Sequence, residues 1–165
     1  MSILALCTEP HPVLRTAAMP VEAYTKELRR LARDLIETMY VNDGIGLAAP
    51  QVGRSLQLFV ANPTQRRGEE VVVVNPVLTQ TAGRATVTEG CLSLPSVWEK
   101  VSRAARVRVS GRDLYGKPVT LEAEGLPAIV LQHEMDHLRG KLFIDRISWL
   151  KRQRALRRYR KALAS

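Results

Sequence analysis

Leu126-Pro127-Ala128-Ile129-Val130-Leu131-Gln132-His133-Glu134-Met135-Asp136-His137 is the stretch on which the reading of this chain turns. Its last five residues spell H-E-x-x-H, and only one histidine, His11, lies elsewhere. Residues i and i+4 of a helix stand on one face, about one turn apart. On a helix, both imidazoles would reach a single metal ion, with Glu134 beside them as a base for the water that the ion activates. A helix is what the surroundings predict. Leu126, Ile129, Val130, His133 and His137 recur at helical spacing, Pro127 suits a first turn, and Gly140 suits an end. The plainer reading is a helix whose histidines only pack. Asp136 reads as a solvated carboxylate or a support behind a ligand, not as a ligand.

A catalytic metal site ordinarily has three protein ligands and one open position. Beyond His137 the chain has no further His, Glu or Cys, and its only carboxylate is Asp145. Peptidases that share the motif usually take their third ligand from this side. One such family continues as H-x-x-G-x-x-H; here Gly140 fills the glycine position, but Phe143 stands where the histidine would be. The third ligand is therefore expected upstream. Cys91 is the best candidate, because a thiolate binds zinc or iron well.

Working outward, 165 residues fit one domain, with 45% hydrophobic and 25% charged residues, as in an ordinary globular protein. No apolar run approaches the ~20 residues that span a bilayer. Met1–Cys7 lacks a basic leader pattern and reads as an early strand, so a cytoplasmic chain is expected. The two cysteines, Cys7 and Cys91, are accordingly expected to be free, Cys7 as a small buried hydrophobe. The net charge of +9 is concentrated at the end. Residues 148–165 carry Lys151, Arg152, Arg154, Arg157, Arg158, Arg160 and Lys161 with no acid, and Trp149, Leu156 and Leu163 recur at heptad spacing, with Leu150 and Tyr159 near them. This predicts an amphipathic basic helix after Ser148. It suits packing on the body with solvated charges, or contact with RNA or the ribosome, ahead of binding to an anionic membrane.

Between the ends, Leu28, Leu31, Ala32, Leu35, Ile36 and Met39 predict a helix over about Thr25–Tyr40, ended by Asn42-Asp43-Gly44. Strands are predicted at Gln57–Ala61, at Glu70–Asn75 stopped by Pro76, at Arg106–Ser110, and at Val119–Glu124 after a Tyr115-Gly116-Lys117 turn. Clustered strands followed by a helix favour an α+β fold with antiparallel sheet over a regularly alternating parallel one.

Two further segments stand out. Gly44-Ile45-Gly46-Leu47-Ala48-Ala49-Pro50-Gln51 combines small residues, which let backbone approach a ligand, with a side-chain amide that can donate to an oxygen. It has neither G-x-G-x-x-G nor G-K-[ST], so it is not a phosphate loop. Glu89-Gly90-Cys91-Leu92-Ser93-Leu94-Pro95 places a cysteine beside glycine. Locally that cysteine reads equally as nucleophile, ligand or packed thiol.

Taken together, G-I-G-L-A-A-P-Q, E-G-C-L-S and Q-H-E-M-D-H-L closely resemble, in order and approximate spacing, the three signature motifs of the peptide deformylases. The likeness runs through about Ile147 and includes the D-x-x-G-K-P-V and G-K-L-F-I-D runs. It implies an α+β fold with antiparallel sheets around the H-E-x-x-H helix, as one catalytic domain over 1–165. It also implies metal-dependent removal of the formyl group from the N-terminal methionine of new polypeptides. By this resemblance Cys91, His133 and His137 hold the metal, and Glu134 moves the proton of the attacking water. The Gln51 amide and the Leu92 N–H stabilise the developing oxyanion. Gly46 binds the substrate backbone, and Ile45, Val87, Leu126, Ile129 and Val130 line a methionine slot. The expected native ion is Fe²⁺, with Zn²⁺, Ni²⁺ or Co²⁺ as substitutes, and family members with a basic terminal helix are thought to dock it on the ribosome.

Many bacterial members carry an arginine shortly after E-G-C-L-S; this chain reads Leu94-Pro95-Ser96-Val97-Trp98-Glu99, with Trp98 near that place. Pro10-His11-Pro12-Val13-Leu14-Arg15 matches the family's opening only loosely, and His11 reads as a turn residue. The competing readings are a zinc peptidase of the H-E-x-x-H type, which lacks its downstream ligand here, and a basic RNA-binding protein with a structural metal, which needs a fourth protein ligand. A cysteine hydrolase would leave one histidine and Glu134 without roles.

Overall fold

The computed structural model describes residues 1–165. The first helix, α1, spans Lys26–Val41. Thr25 caps it, its hydroxyl accepting from Leu28 N, and Leu28, Ala32, Leu35 and Met39 form its buried stripe. Seven strands follow: β1 (Gly46–Ala48), β2 (Leu58–Ala61), β3 (Val71–Ala82), β4 (Ala85–Cys91), β5 (Leu94–Arg103), β6 (Arg106–Arg112) and β7 (Pro118–Glu124). The last two helices are α2 (Leu126–Leu138) and α3 (Trp149–Leu163).

The strands form a five-stranded sheet in the order β1-β2-β3-β6-β7 and a separate β4-β5 hairpin, every pairing antiparallel. The fold is thus α+β, as the clustering of strands predicted. The hairpin leaves the sheet between β3 and β6, whose ends pair at Ala82↔Arg106. Helix α2 packs on the sheet through Ala128, Val130, Leu131, Met135 and Leu138, against Phe59, Val73, Val107 and Val109. It is buried nearly all round, which makes it a central helix and not a surface one. Helix α1 closes the other part of the sheet, Met39 and Leu35 meeting Leu58, Val60 and Val74. Helix α3 seals the hairpin, setting Ala155, Leu156 and Tyr159 on Leu94, Val97, Val101, Phe143 and Ile144.

Four expectations are corrected. Met1–Thr8 forms no strand. Its amides are used elsewhere: Ser2 N donates to Asp34 Oδ1, Leu4 N to Thr38 Oγ1 and Cys7 N to Gln51 O. Pro76 does not stop β3, because the ladder with β6 is irregular between Val74 and Val77, and a bulge asks no hydrogen bond of a proline nitrogen. The hairpin of β4 and β5 is an element for which the sequence analysis makes no prediction. On α3 the buried stripe is Ala155, Leu156 and Tyr159 in the middle of the helix, while Trp149 and Leu163 at its two ends stay 72% and 61% exposed, because only the middle of the helix docks on the body. Both cysteines are free, Cys7 only half-buried, and no helix is long and apolar enough to cross a membrane.

Candidate metal centre

Helix α2 carries His133 and His137 one turn apart, and the end of β4 brings Cys91 to them. The two Nε2 atoms are 3.3 Å apart, and Cys91 Sγ is 3.3 Å from His137 Nε2. A tetrahedral ion with metal–nitrogen bonds of about 2.05 Å and a metal–sulfur bond of about 2.3 Å sets its ligands about 3.3 Å (N···N) and 3.6 Å (N···S) apart. The three side chains therefore match one small ion. No further Cys, His or carboxylate joins the group, so a closed four-ligand structural site is not present. Cys7 and His11 stand apart; His11 caps the short 3₁₀ turn Pro12–Arg15.

A buried ionic chain holds the ligands from behind. His133 Nδ1 lies 2.9 Å from Glu89 Oε2, which leaves its Nε2 for the metal. Glu89 accepts two bonds from Arg103, Nε at 2.5 Å and Nη2 at 3.0 Å. Arg103 Nη1 reaches Asp136 Oδ2 at 2.8 Å, and Asp136 also accepts two bonds from Arg146. Burial opposes the charge on Glu89, yet His133 and Arg103 outweigh it and hold its carboxyl below the usual range. Asp136 is likewise held low, against burial, by Arg146 and Arg103. Asp136 is thus buried and paired, not solvated. Sequence reading missed Arg103, Arg146 and the role of Glu89. The first two carry no local signal, whereas Glu89 stands inside a motif already singled out.

Glu134 stands outside this chain of pairs. It is buried, Oε2 has no hydrogen-bond partner, and burial raises its pKa to about 7. That suits a group that takes and returns a proton near neutrality. Gly46 makes room for it: a Cβ there would sit 2.3 Å from Glu134 Oε1. The short 3₁₀ turn Ala49–Val52 presents Gln51. Its Oε1 accepts from Ala48 N at 2.9 Å, so its NH₂ faces Ser93 Oγ at 3.2 Å and Cys91 Sγ at 3.5 Å.

A cavity of about 710 Å³ opens over this centre. Its lining brings together Ile45, Gly46, Gln51, Val87, Cys91, Leu92, Leu126, Ile129, Val130, His133 and Glu134. Of the ligand, catalytic and substrate-binding residues named from sequence, only His137 lies beneath the wall and not in it. The walls are formed on one side by β1, which pairs only with β2, and on the other by β4, which pairs only with β5. Each therefore has one edge without a partner strand. Ile129 and Val130 are buried on α2, whereas Leu126 is 49% exposed at its start.

Comparison with known proteins shows what the chain is similar to. The family profile described as polypeptide deformylase matches residues 3–153. A peptide deformylase of Acinetobacter baumannii (strain SDF) is 48% identical over 155 residues, covering 93% of this chain and 88% of that protein. The crystal structure of a peptide deformylase from Legionella pneumophila superposes with a TM-score of 0.95 at 42% identity, over 99% of this chain and 96% of that one. A Synechococcus elongatus peptide deformylase, in complex with actinonin, gives 0.89 at 43% identity, over 94% and 86%.

Proposed function

This chain belongs to the peptide deformylase family, and from that premise we propose which of its residues carry the reaction. The reaction is metal-dependent hydrolysis of the formyl group from the N-terminal methionine of newly synthesised polypeptides, releasing formate. We read residues 1–165 as one catalytic domain, with 148–165 as its basic terminal helix.

Cys91, His133 and His137 are the metal ligands in this reading. A divalent ion held there supplies Lewis acidity toward a water molecule and the formyl oxygen. The set suits Fe²⁺ and Zn²⁺ alike, and Ni²⁺ or Co²⁺ as substitutes; Fe²⁺ is the native ion we propose. Glu134, buried and without a partner on Oε2, takes the proton from the attacking water and delivers it to the leaving amine. The Gln51 NH₂ and the Leu92 N–H donate to the oxyanion that grows on the formyl oxygen. The substrate backbone enters extended between the free edges of β1 and β4, with Gly46 as a hydrogen-bonding partner. Ile45, Val87, Leu126, Ile129 and Val130 take the methionine side chain.

The observation that carries this assignment of roles is the convergence of three ligands at a single cavity, with two of them, Cys91 and His133, and one unpartnered carboxylate in its lining. Formate release from a formyl-Met tripeptide, by anaerobically prepared Fe²⁺ protein, tests it. Glu134→Ala should abolish release while metal content stays at one ion per chain; full activity in that variant would remove Glu134 from its role.

For α3 we propose contact with the ribosome. Arg152 and Arg158 pair with Asp145 and Glu99, but Lys151, Arg154, Arg157, Arg160 and Lys161 remain exposed and have no ion-pair partner. Co-sedimentation with ribosomes should weaken steeply with salt. Replacing those five residues with glutamine should abolish it without loss of formate release.

A further inference from the structure

A second cavity, of about 270 Å³, is lined by Asp136 and by four arginines, Arg84, Arg103, Arg139 and Arg146. It shares no lining residue with the metal-site cavity. The arginines come from four separate places. Arg84 lies in the turn between β3 and β4, Arg103 ends β5, Arg139 caps α2 at its C-terminus, and Arg146 ends the 3₁₀ turn Phe143–Arg146. No charged run in the sequence accounts for the cluster; the fold assembles it.

Two of the four are committed to carboxylates. Arg103 is buried and gives Nε and Nη2 to Glu89 and Nη1 to Asp136. Arg146 gives Nε and Nη2 to Asp136, and its Nη1 has no partner. These two guanidinium groups already balance the two carboxylates. Arg84 and Arg139 are exposed and pair with no acid. They bring surplus positive charge to a concave surface, where the field is focused. A guanidinium fork matches the oxygens of a phosphate group. The wall is fixed in advance. Gln132 Oε1 accepts from Ala104 N at 3.1 Å and its Nε2 donates to Ala104 O at 2.9 Å, which pins the end of β5 to α2. The volume falls below the ~300–1,000 Å³ of pockets for drug-sized ligands, so it suits a small group. The carbonyl end of α2 opposes an anion, but more weakly than two charged donors favour one.

We propose that this cavity binds a phosphate group, with Arg84, Arg139 and the free Nη1 of Arg146 as its donors. Two sources share that chemistry, inorganic phosphate and the backbone of an RNA strand. The second is in reach because Asp145, next to Arg146, pairs with Arg152, so the basic helix α3 starts near the cavity.

The test titrates inorganic phosphate into the nickel-loaded full chain by calorimetry, at constant ionic strength held with chloride. A fluorescein-labelled oligouridine is followed in parallel by anisotropy. Arg84→Gln/Arg139→Gln removes the two unpaired donors. Arg30→Gln/Arg33→Gln removes the same charge from the exposed face of α1 and serves as the control. All four side chains are exposed, so both variants should melt with the unaltered protein in chloride alone. Phosphate should bind at one site, sulfate should displace it, and affinity should fall at least about 10-fold in the first variant and less than about twofold in the control. If RNA is the source, oligouridine shows the same pattern and phosphate displaces it. If free phosphate is the source, oligouridine binds both variants alike while phosphate binding is lost only in the first. Equal losses in the two variants overturn the proposal, because general attraction then explains the binding. So does a phosphate or oligouridine affinity that neither variant alters, or a loss of oligouridine that phosphate and sulfate fail to compete.

Discussion

Replacing Arg103 with methionine keeps the length of the side chain and removes the charge on which two buried carboxylates depend. Arg103 is 5% exposed, Glu89 6% and Asp136 2%, so water screens none of them well. After the change Asp136 keeps Arg146, but Glu89 keeps only His133. Breaking a buried ion pair by deleting one partner costs about 3–5 kcal/mol, because the remaining charge stays desolvated. At about 2–4 °C per kcal/mol for a chain of this size, the melting temperature should fall by about 6–20 °C. Urea unfolding of nickel-loaded protein gives the free energy directly, and Glu89→Gln completes a double-mutant cycle. In the Glu89→Gln background the loss from Arg103→Met should shrink by at least about 1 kcal/mol, since the pair no longer couples two charges. The same change frees Glu89 from its fixed place behind His133, so metal affinity should weaken about 10- to 100-fold. A destabilisation below about 1 kcal/mol, or an identical loss in both backgrounds, would refute the reasoning.

The remaining expectations concern the open side of the site. Gly46→Ala should push Glu134 out of place, since its Cβ would overlap Oε1 at 2.3 Å; kcat should fall about 100-fold with metal content unchanged, measured by steady-state kinetics and metal analysis. Gln51→Ala should raise the barrier by about 3–4 kcal/mol, seen as a kcat loss of at least about 100-fold with little change in KM, and a loss under about threefold would exclude the amide from oxyanion stabilisation. Chelation should abolish formate release and lower the unfolding midpoint together, because an ion bound only to the folded state stabilises it by mass action. Re-addition of Ni²⁺ or Co²⁺ should restore both, and recovery of stability without activity would mean that the ion is structural only.

Much of this was legible in the chain itself. H-E-x-x-H with Pro127 before it and Gly140 after it specifies a helix and a pair of ligands at once, because one helical turn is a local property. The stripe from Leu28 to Met39 gave α1 within one residue at each end, with Thr25 as its cap. Cys91 could be nominated by elimination and by softness of its sulfur. Its distance from His137 could not, because 46 residues and a whole hairpin intervene. Arg103 and Arg146 were invisible for the same reason: an arginine in a strand or a short turn reads as a solvated charge until the fold buries carboxylates beside it.

What the sequence alone determined, then, was whatever depends on spacing within a turn or a strand. That covers the metal helix, the amphipathic α1, the strand-rich middle, the basic terminal helix and the likeness of three motifs to one family. The tertiary structure decided what those pieces meet. Only the packing of α2 against the sheet left Glu134 buried without a partner, and only the irregular register of the hairpin set Trp98 on Gly90. The physical reason is range. Helix and strand periodicity arise from neighbours along the chain. Desolvation, charge pairing and the convergence of ligands arise between segments whose meeting is fixed only when the core closes.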